Sequence, residues 1–159
     1  MMQELKEQLL AEVAKCRHRK ELSKTVGPDY FEPGMMEHLE QSEGCYDPQT
    51  NQILIRFDAR GTRYEGRTEL IEKVKLGDVI RVVRQMDNAY NPDHFDLLTE
   101  SGKSVGTLPA ELSHVMAPLF DAGLLTWQMG RVSYVEPISK RSRHAKQAVL
   151  FVELQMQLL

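Results

Sequence analysis

The chain is short of cysteine, of long apolar runs and of net charge, and each shortage excludes something. Its two cysteines, Cys16 and Cys45, are far apart in the sequence. Scattered like this in a cytosolic chain, they read as free thiols and not as a disulfide. There is no CxxC, no HExxH and no paired His/Cys spacing, so no metal site is expected. No apolar stretch approaches the ~20 residues that span a bilayer. The opening MMQELKEQLL is charged from the start and lacks the core of a signal peptide. The expectation is a cytoplasmic protein with no membrane contact. GxSxG and Walker-type loops are absent, and the five histidines (18, 38, 94, 114, 144) are scattered. No catalytic residue and no cofactor are therefore expected.

The net charge of -3 over 159 residues gives no global pull toward nucleic acid. The balance is uneven. Residues 1–50 carry six Lys/Arg against ten Asp/Glu, whereas residues 51–159 carry 14 against 13. An anion-binding surface would have to be a local patch on the second part. The composition, 42% hydrophobic and 27% charged, is that of an ordinary globular domain.

Met2 to about Glu21 reads as a helix. Leu5, Leu9 and Val13 recur every four residues, and Leu10 and Ala14 widen the stripe. Gly27-Pro28 breaks it, Phe31 to Gly34 forms a turn, and Met35 to Gln41 fits one or two helical turns. The long helix either packs on the main domain or serves as a dimerisation surface. From Asn51 the texture turns to β. Strands are expected over Gln52 to about Ala59, resuming at Thr62-Arg63-Tyr64, and over Val79–Arg84, His94–Thr99, Ser104–Leu108, Gly130–Val135 and Ala148–Met156. Helices are inserted at Thr68–Val74 and at Pro109–Asp121, where Pro118 is expected to kink or restart the turn. Short strands separated by turns favour a small barrel. The reading is an α+β chain: a helical extension over 1–50, then a six-stranded barrel with two inserted helices over 51–159.

Two patches carry possible chemistry. Arg60, Arg63, Tyr64 and Arg67, with Tyr90, interleave cations with aromatics. Aromatics stack on any base and Arg pairs with phosphate, which suits single-stranded nucleic acid. The same pattern also fits a solvated strand face. Ser139 to Lys146 holds four basic residues and no acid, so it tracks a phosphate backbone or forms a hydrated loop tip. Asp87, Asp93 and Asp96 are better read as turn-formers and a strand residue than as metal ligands.

The stretch from Asp87 to Pro109 adds a further signal. In order the chain shows Gly61-Thr62-Arg63-Tyr64, Leu76-Gly77-Asp78, Val83 to Asp93 with Asn88-Ala89-Tyr90-Asn91 at its centre, and Val105-Gly106-Thr107-Leu108-Pro109 before a helix. This series resembles the HIRAN domain, over about residues 51–156, in the manner of a standalone bacterial-type member. The resemblance implies an OB-like β-barrel that binds DNA without catalysis. Its preferred ligands would be single strands or 3′ strand ends, in a repair or replication setting. Arg63 and Tyr64 match a strand-contacting pair, Asn88 a groove asparagine, and Tyr90 an aromatic that packs on the terminal nucleotide. Asn91 occupies the place of an aspartate that bonds the terminal hydroxyl, and Thr107 stands where a bulkier ring can occur. Lys140, Arg141 and Lys146 would add phosphate contacts. The family's fusions to helicases raise a helicase or nuclease as a partner enzyme. The other reading is a protein-interaction or scaffold module, with a homodimer through the Met2–Glu21 helix.

Overall fold

The computed structural model describes residues 2–25, 35–64, 66–141, 143 and 145–159. The expected Gly27-Pro28 break and Phe31–Gly34 turn lie outside the described residues. The elements in chain order are α1 (Met2–Ser23), α2 (Met35–Gln41), β1 (Glu43–Asp47), β2 (Gln52–Asp58), α3 (Arg67–Ile71), β3 (Val79–Gln85), β4 (His94–Thr99), β5 (Ser104–Thr107), α4 (Ala110–Asp121), β6 (Leu125–Glu136) and β7 (Val149–Leu158). A 3-10 turn at Ile138–Lys140 lies between the last two strands.

The seven strands form one antiparallel sheet in the order β1-β2-β7-β6-β3-β4-β5. The sheet curls until the chain just past β2 meets its edge strand β5. Arg60, just past β2, exchanges both backbone hydrogen bonds with Thr107 at the end of β5, at 3.0 and 2.9 Å. No continuous ladder closes the cylinder among the described residues. Gly106 makes the approach possible, because a Cβ there would stand 2.9 Å from the Arg60 carbonyl oxygen.

The seventh strand is β1, which had been read as the end of the helical extension. It pairs with β2 from Glu43↔Arg56 to Asp47↔Gln52. The Asp47 side chain accepts from Gln49 N–H, and Asn51 takes a positive φ of 59° to close the hairpin. Helix α1 crosses this strand closely. A Cβ on Gly44 would lie 1.9 Å from the Val13 carbonyl oxygen, so only glycine fits there. The apolar stripe foreseen on α1 faces this chain's own β1, β2 and α4. Leu9 is 0% exposed, Val13 3% and Cys16 5%. Fully burying such a side chain contributes about 2 kcal/mol relative to leaving it in water. Burial pushes the Cys16 thiol up to about 11, with Arg19 opposing in part, so it stays protonated.

Other boundaries shift in ways the backbone explains. Thr62 to Tyr64 is a turn and not a resumed strand, since Tyr64 N–H bonds back to Gly61. Thr68 is not an N-cap; Gly66 occupies that place and the Thr68 hydroxyl donates to the Thr62 carbonyl. Helix α4 continues through Pro118 without restarting, and it stops at the expected Asp121-Ala122-Gly123. The extended run after α4 is one twelve-residue strand, β6, irregular between Trp127 and Gly130. Inside the curl, Phe120 stacks on Trp127 (centroids 4.7 Å apart) and Phe95 meets both edge-on. The Trp127 indole N–H donates to the Val82 carbonyl.

Candidate nucleic-acid interface

Three chain exits fall at one end of the β3–β4–β5 ladder. Strand β3 leaves at Gln85, opposite His94, where β4 begins. Strand β5 leaves at Thr107, opposite Asp96 and bridged to Arg60. The 86–93 loop rises from this end, and the chain after Arg60 runs antiparallel beside β5, so the 61–64 turn lies along the edge of β5 away from β4.

The 86–93 loop is held from below. Asn88 Oδ1 accepts from Tyr90 N–H (3.0 Å) and Asn91 N–H (2.9 Å). Asn91 Oδ1 accepts from Asp93 N–H at 3.0 Å, and Asn91 Nδ2 lies 3.5 Å from the Ser113 hydroxyl on α4. Asp93 pairs with His114 at 3.0 Å, which gives that surface histidine a positioning contact. Arg84 grips Asp121 through two nitrogens, at 3.1 and 3.0 Å, and donates to the Gln85 and His94 carbonyls. This loop is thus tied to both ends of α4. On it Tyr90 is 98% exposed, with its ring in solvent.

The second wall is the 61–64 turn. The Arg63 guanidinium lies 4.8 Å from the Tyr64 ring centroid and donates to the Tyr64 hydroxyl. Both side chains are exposed. Below them Arg67 is buried, donating to the Gly61 carbonyl at 2.9 Å and the Ser104 hydroxyl at 3.1 Å. Ser104 donates in turn to Asp96, whose other oxygen accepts from Gln85. Burial lowers the His94 pKa, and the nearby Arg67 and Arg84 charges press the same way against Asp96. The network of Arg67, Ser104, Asp96 and Gln85 was not singled out as a unit in the sequence. Its only signal was the alternation of His94 and Asp96 onto the outer face of β4. Asp96 is occupied by these partners, and no group of three His, Cys, Asp or Glu gathers as a metal site among the described residues.

Two of the three arginines of the cationic cluster are engaged elsewhere. Arg60 pairs with Asp58 at 2.7 Å and Glu111 at 2.8 Å, and Arg67 is built into the network above. Arg63 is the one displayed with an aromatic. Thr107 sits half-buried at the seam. The basic stretch lies beyond the far end of α3: Ser139 bonds Glu72 through its N–H and its hydroxyl, at 2.9 and 2.7 Å. Lys140 and Lys146 are exposed, whereas Arg141 is half-buried, with its Nε and Nη1 turned inward. Ser142 and His144 lie outside the described residues. Thr62 donates to the Ala148 carbonyl at 2.9 Å, so the β6–β7 connection also flanks the 61–64 turn.

A family model for the HIRAN domain matches residues 52–150. The chain belongs to the HIRAN domain family. Among solved structures, this HIRAN chain is similar to a protein from Lactobacillus plantarum, at 16% identity and a TM-score of 0.51, over 64% of this chain and 91% of that one. That likeness concerns the fold. The HIRAN domain of human HLTF aligns at 20% identity and a TM-score of 0.47, over 65% of this chain and 76% of that one. The same HLTF domain in its DNA-bound conformation aligns at 19% and 0.44, over 66% and 75%. No curated protein matches the sequence. The matched HIRAN region leaves α1, α2 and β1 outside it. No helix among the described residues is long and apolar enough to cross a membrane.

Proposed function

We propose that this HIRAN member is a non-catalytic DNA-binding module that takes single strands or strand ends between the 61–64 turn and the 86–93 loop. The observation that carries the reading is Tyr90, an aromatic ring 98% exposed on a loop whose backbone is fixed by Asn88, Asn91 and Asp93. An exposed ring on a rigid mount loses little freedom when a base stacks on it. Arg63 and Tyr64 supply a cation and a second ring from the facing turn. Lys140 and Lys146 add charge along the path of a phosphate backbone, and Arg141 joins them by swinging outward. A family relative, the HLTF HIRAN domain, has a DNA-bound conformation, and the ligand class is extended here through the shared family. A repair or replication setting, with a helicase or nuclease as partner enzyme, belongs to the same proposal.

The test is fluorescence anisotropy of the full chain with labelled single strands and duplex at low salt. Single strands are expected to bind more tightly, and affinity should fall as salt rises, as phosphate contacts require. Tyr90→Ala should weaken binding by the worth of one stacked base, about 1–3 kcal/mol, with no change in thermal unfolding. Unaltered affinity in Tyr90→Ala would put the strand elsewhere.

One observation favours a protein-interaction role instead. An open groove of ≈ 440 Å³ runs along β1, β2, β7 and β6, where Leu54, Trp127 and Met129 lie among glutamines. Because Leu9 and Val13 of the α1 stripe are buried within the chain, this groove is the homodimer surface that this reading uses. Sedimentation across a concentration series, with Met129→Glu as the interface variant, separates that reading from a monomeric DNA binder.

A further inference from the structure

We infer that the asparagine loop selects a strand end carrying a phosphate monoester over one carrying a free hydroxyl; this rests on the DNA-binding reading above. The argument concerns which amide atoms remain available to a ligand. Backbone N–H groups fix the orientation of both side chains, because an oxygen and not a nitrogen must face them. Asn88 Oδ1 already accepts two such bonds, from Tyr90 and Asn91. Its Nδ2 has no partner among the described residues. Asn91 Oδ1 accepts one, from Asp93, and its Nδ2 spends one N–H toward Ser113. Ser113 is itself 0% exposed and donates to the Ala110 carbonyl, so it offers a ligand nothing.

The loop therefore presents both N–H groups of Asn88 and one of Asn91, against a single spare lone pair on a neutral Asn91 oxygen. A terminal hydroxyl has one proton and two lone pairs, so it can engage at most two of these N–H groups and finds one free acceptor on the two asparagine side chains. A terminal phosphate has three acceptor oxygens and a charge of about -1.5 to -2 at neutral pH, which matches a donor-rich rim. Carboxylates nearby oppose it: Asp93 bonds His114, Asp96 accepts from Ser104 and Gln85 with the Arg67 guanidinium 4.0 Å away, and Asp87 is exposed, where salt screens it. The cation displayed on the facing turn, Arg63, has the sign a phosphate requires.

The experiment measures anisotropy of the full chain with internally labelled single strands of one sequence. The strands end in hydroxyls at both ends, in a 3′-phosphate, or in a 5′-phosphate, with a circular strand as the arm without ends. One phosphate-ended strand is expected to bind roughly tenfold more tightly than the hydroxyl-ended strand, the worth of one or two charge-assisted hydrogen bonds. The two phosphate arms say which end is read. Asn88→Asp and Asn91→Asp keep the oxygen that the backbone needs but replace the donors by a carboxylate, so each should cancel or reverse the preference. Thermal unfolding of both variants should match the parent. Equal or tighter binding of the hydroxyl-ended strand overturns the inference, as does a phosphate preference that survives in both variants. A circular strand that binds as well as the others overturns end recognition while leaving DNA binding intact. If no strand binds at all, the DNA-binding reading itself fails.

Discussion

Glu153 shows how one carboxylate can decide the use of two arginines. It is 6% exposed on β7, between Arg56 on β2 and Arg131 on β6. Arg56 reaches it at 3.0 Å, and Arg131 donates to its other oxygen. Burial alone would raise the carboxyl pKa, but the hydrogen bonds from Arg131 and Arg56 outweigh it and hold the group below its ordinary value. A carboxylate with a depressed folded pKa adds stability above its unfolded value, near 4.5, and that stability is lost as pH falls through the folded value. Glu153→Gln should cost about 2 kcal/mol at pH 7. The gap from the parent should narrow as urea midpoints are measured below pH 4.5. A gap that stays constant with pH would mean that packing, not charge, is lost. The same pairing logic separates what could be read at the candidate interface from what could not. Arg60, Arg63 and Arg67 look alike in the sequence. Their different fates are decided by Asp58, Glu111, Ser104 and Asp96, which reach them from other strands and helices. The exposure of Tyr90 was legible because a ring amid turn-formers has nowhere to pack.

At the scale of elements, periodicity carried far where a face packs on a neighbour continuously. It marked α1, α4 and the strands β2, β3, β4, β5 and β7. It did not mark β1, five residues containing a glycine, whose place depends on β2 on one side and on α1 crossing at Gly44. Nor did it show β6 as continuous, because the irregularity between Trp127 and Gly130 shifts the alternation mid-strand. Helix α1 is the element whose role had the most room. We propose that the described part of residues 1–50 acts as a folded extension that shares the core of the remaining chain, since Leu9, Val13 and Cys16 belong to the same buried cluster as Ile55 and Leu112. Leu9→Ala should then destabilise the whole chain by about 2–5 kcal/mol. The loss should appear as one cooperative shift in both far-UV ellipticity and Trp127 fluorescence. Two separate transitions would mean that α1 unfolds by itself.

At the scale of the molecule, among the described residues, β5 and the chain just past β2 are joined by the backbone pair of residues 60 and 107. A cylinder fastened at one point can open there without unravelling the rest, and such local opening is what amide exchange measures. The two sides of that fastening are the two sides of the proposed site: Arg60 leads into the turn bearing Arg63 and Tyr64, and Thr107 lies opposite Asp96 near the root of the Tyr90 loop. A strand that touches both sides binds the fastened state and not the opened one. At ligand concentrations 100 times Kd, exchange through that opening should slow by roughly 100-fold. The Arg60 and Thr107 amides should report this, while the Ile55 amide on the opposite ladder should not change. The joint that leaves the cylinder incomplete thus doubles as a gauge of occupancy, read from two backbone protons without any label on the DNA.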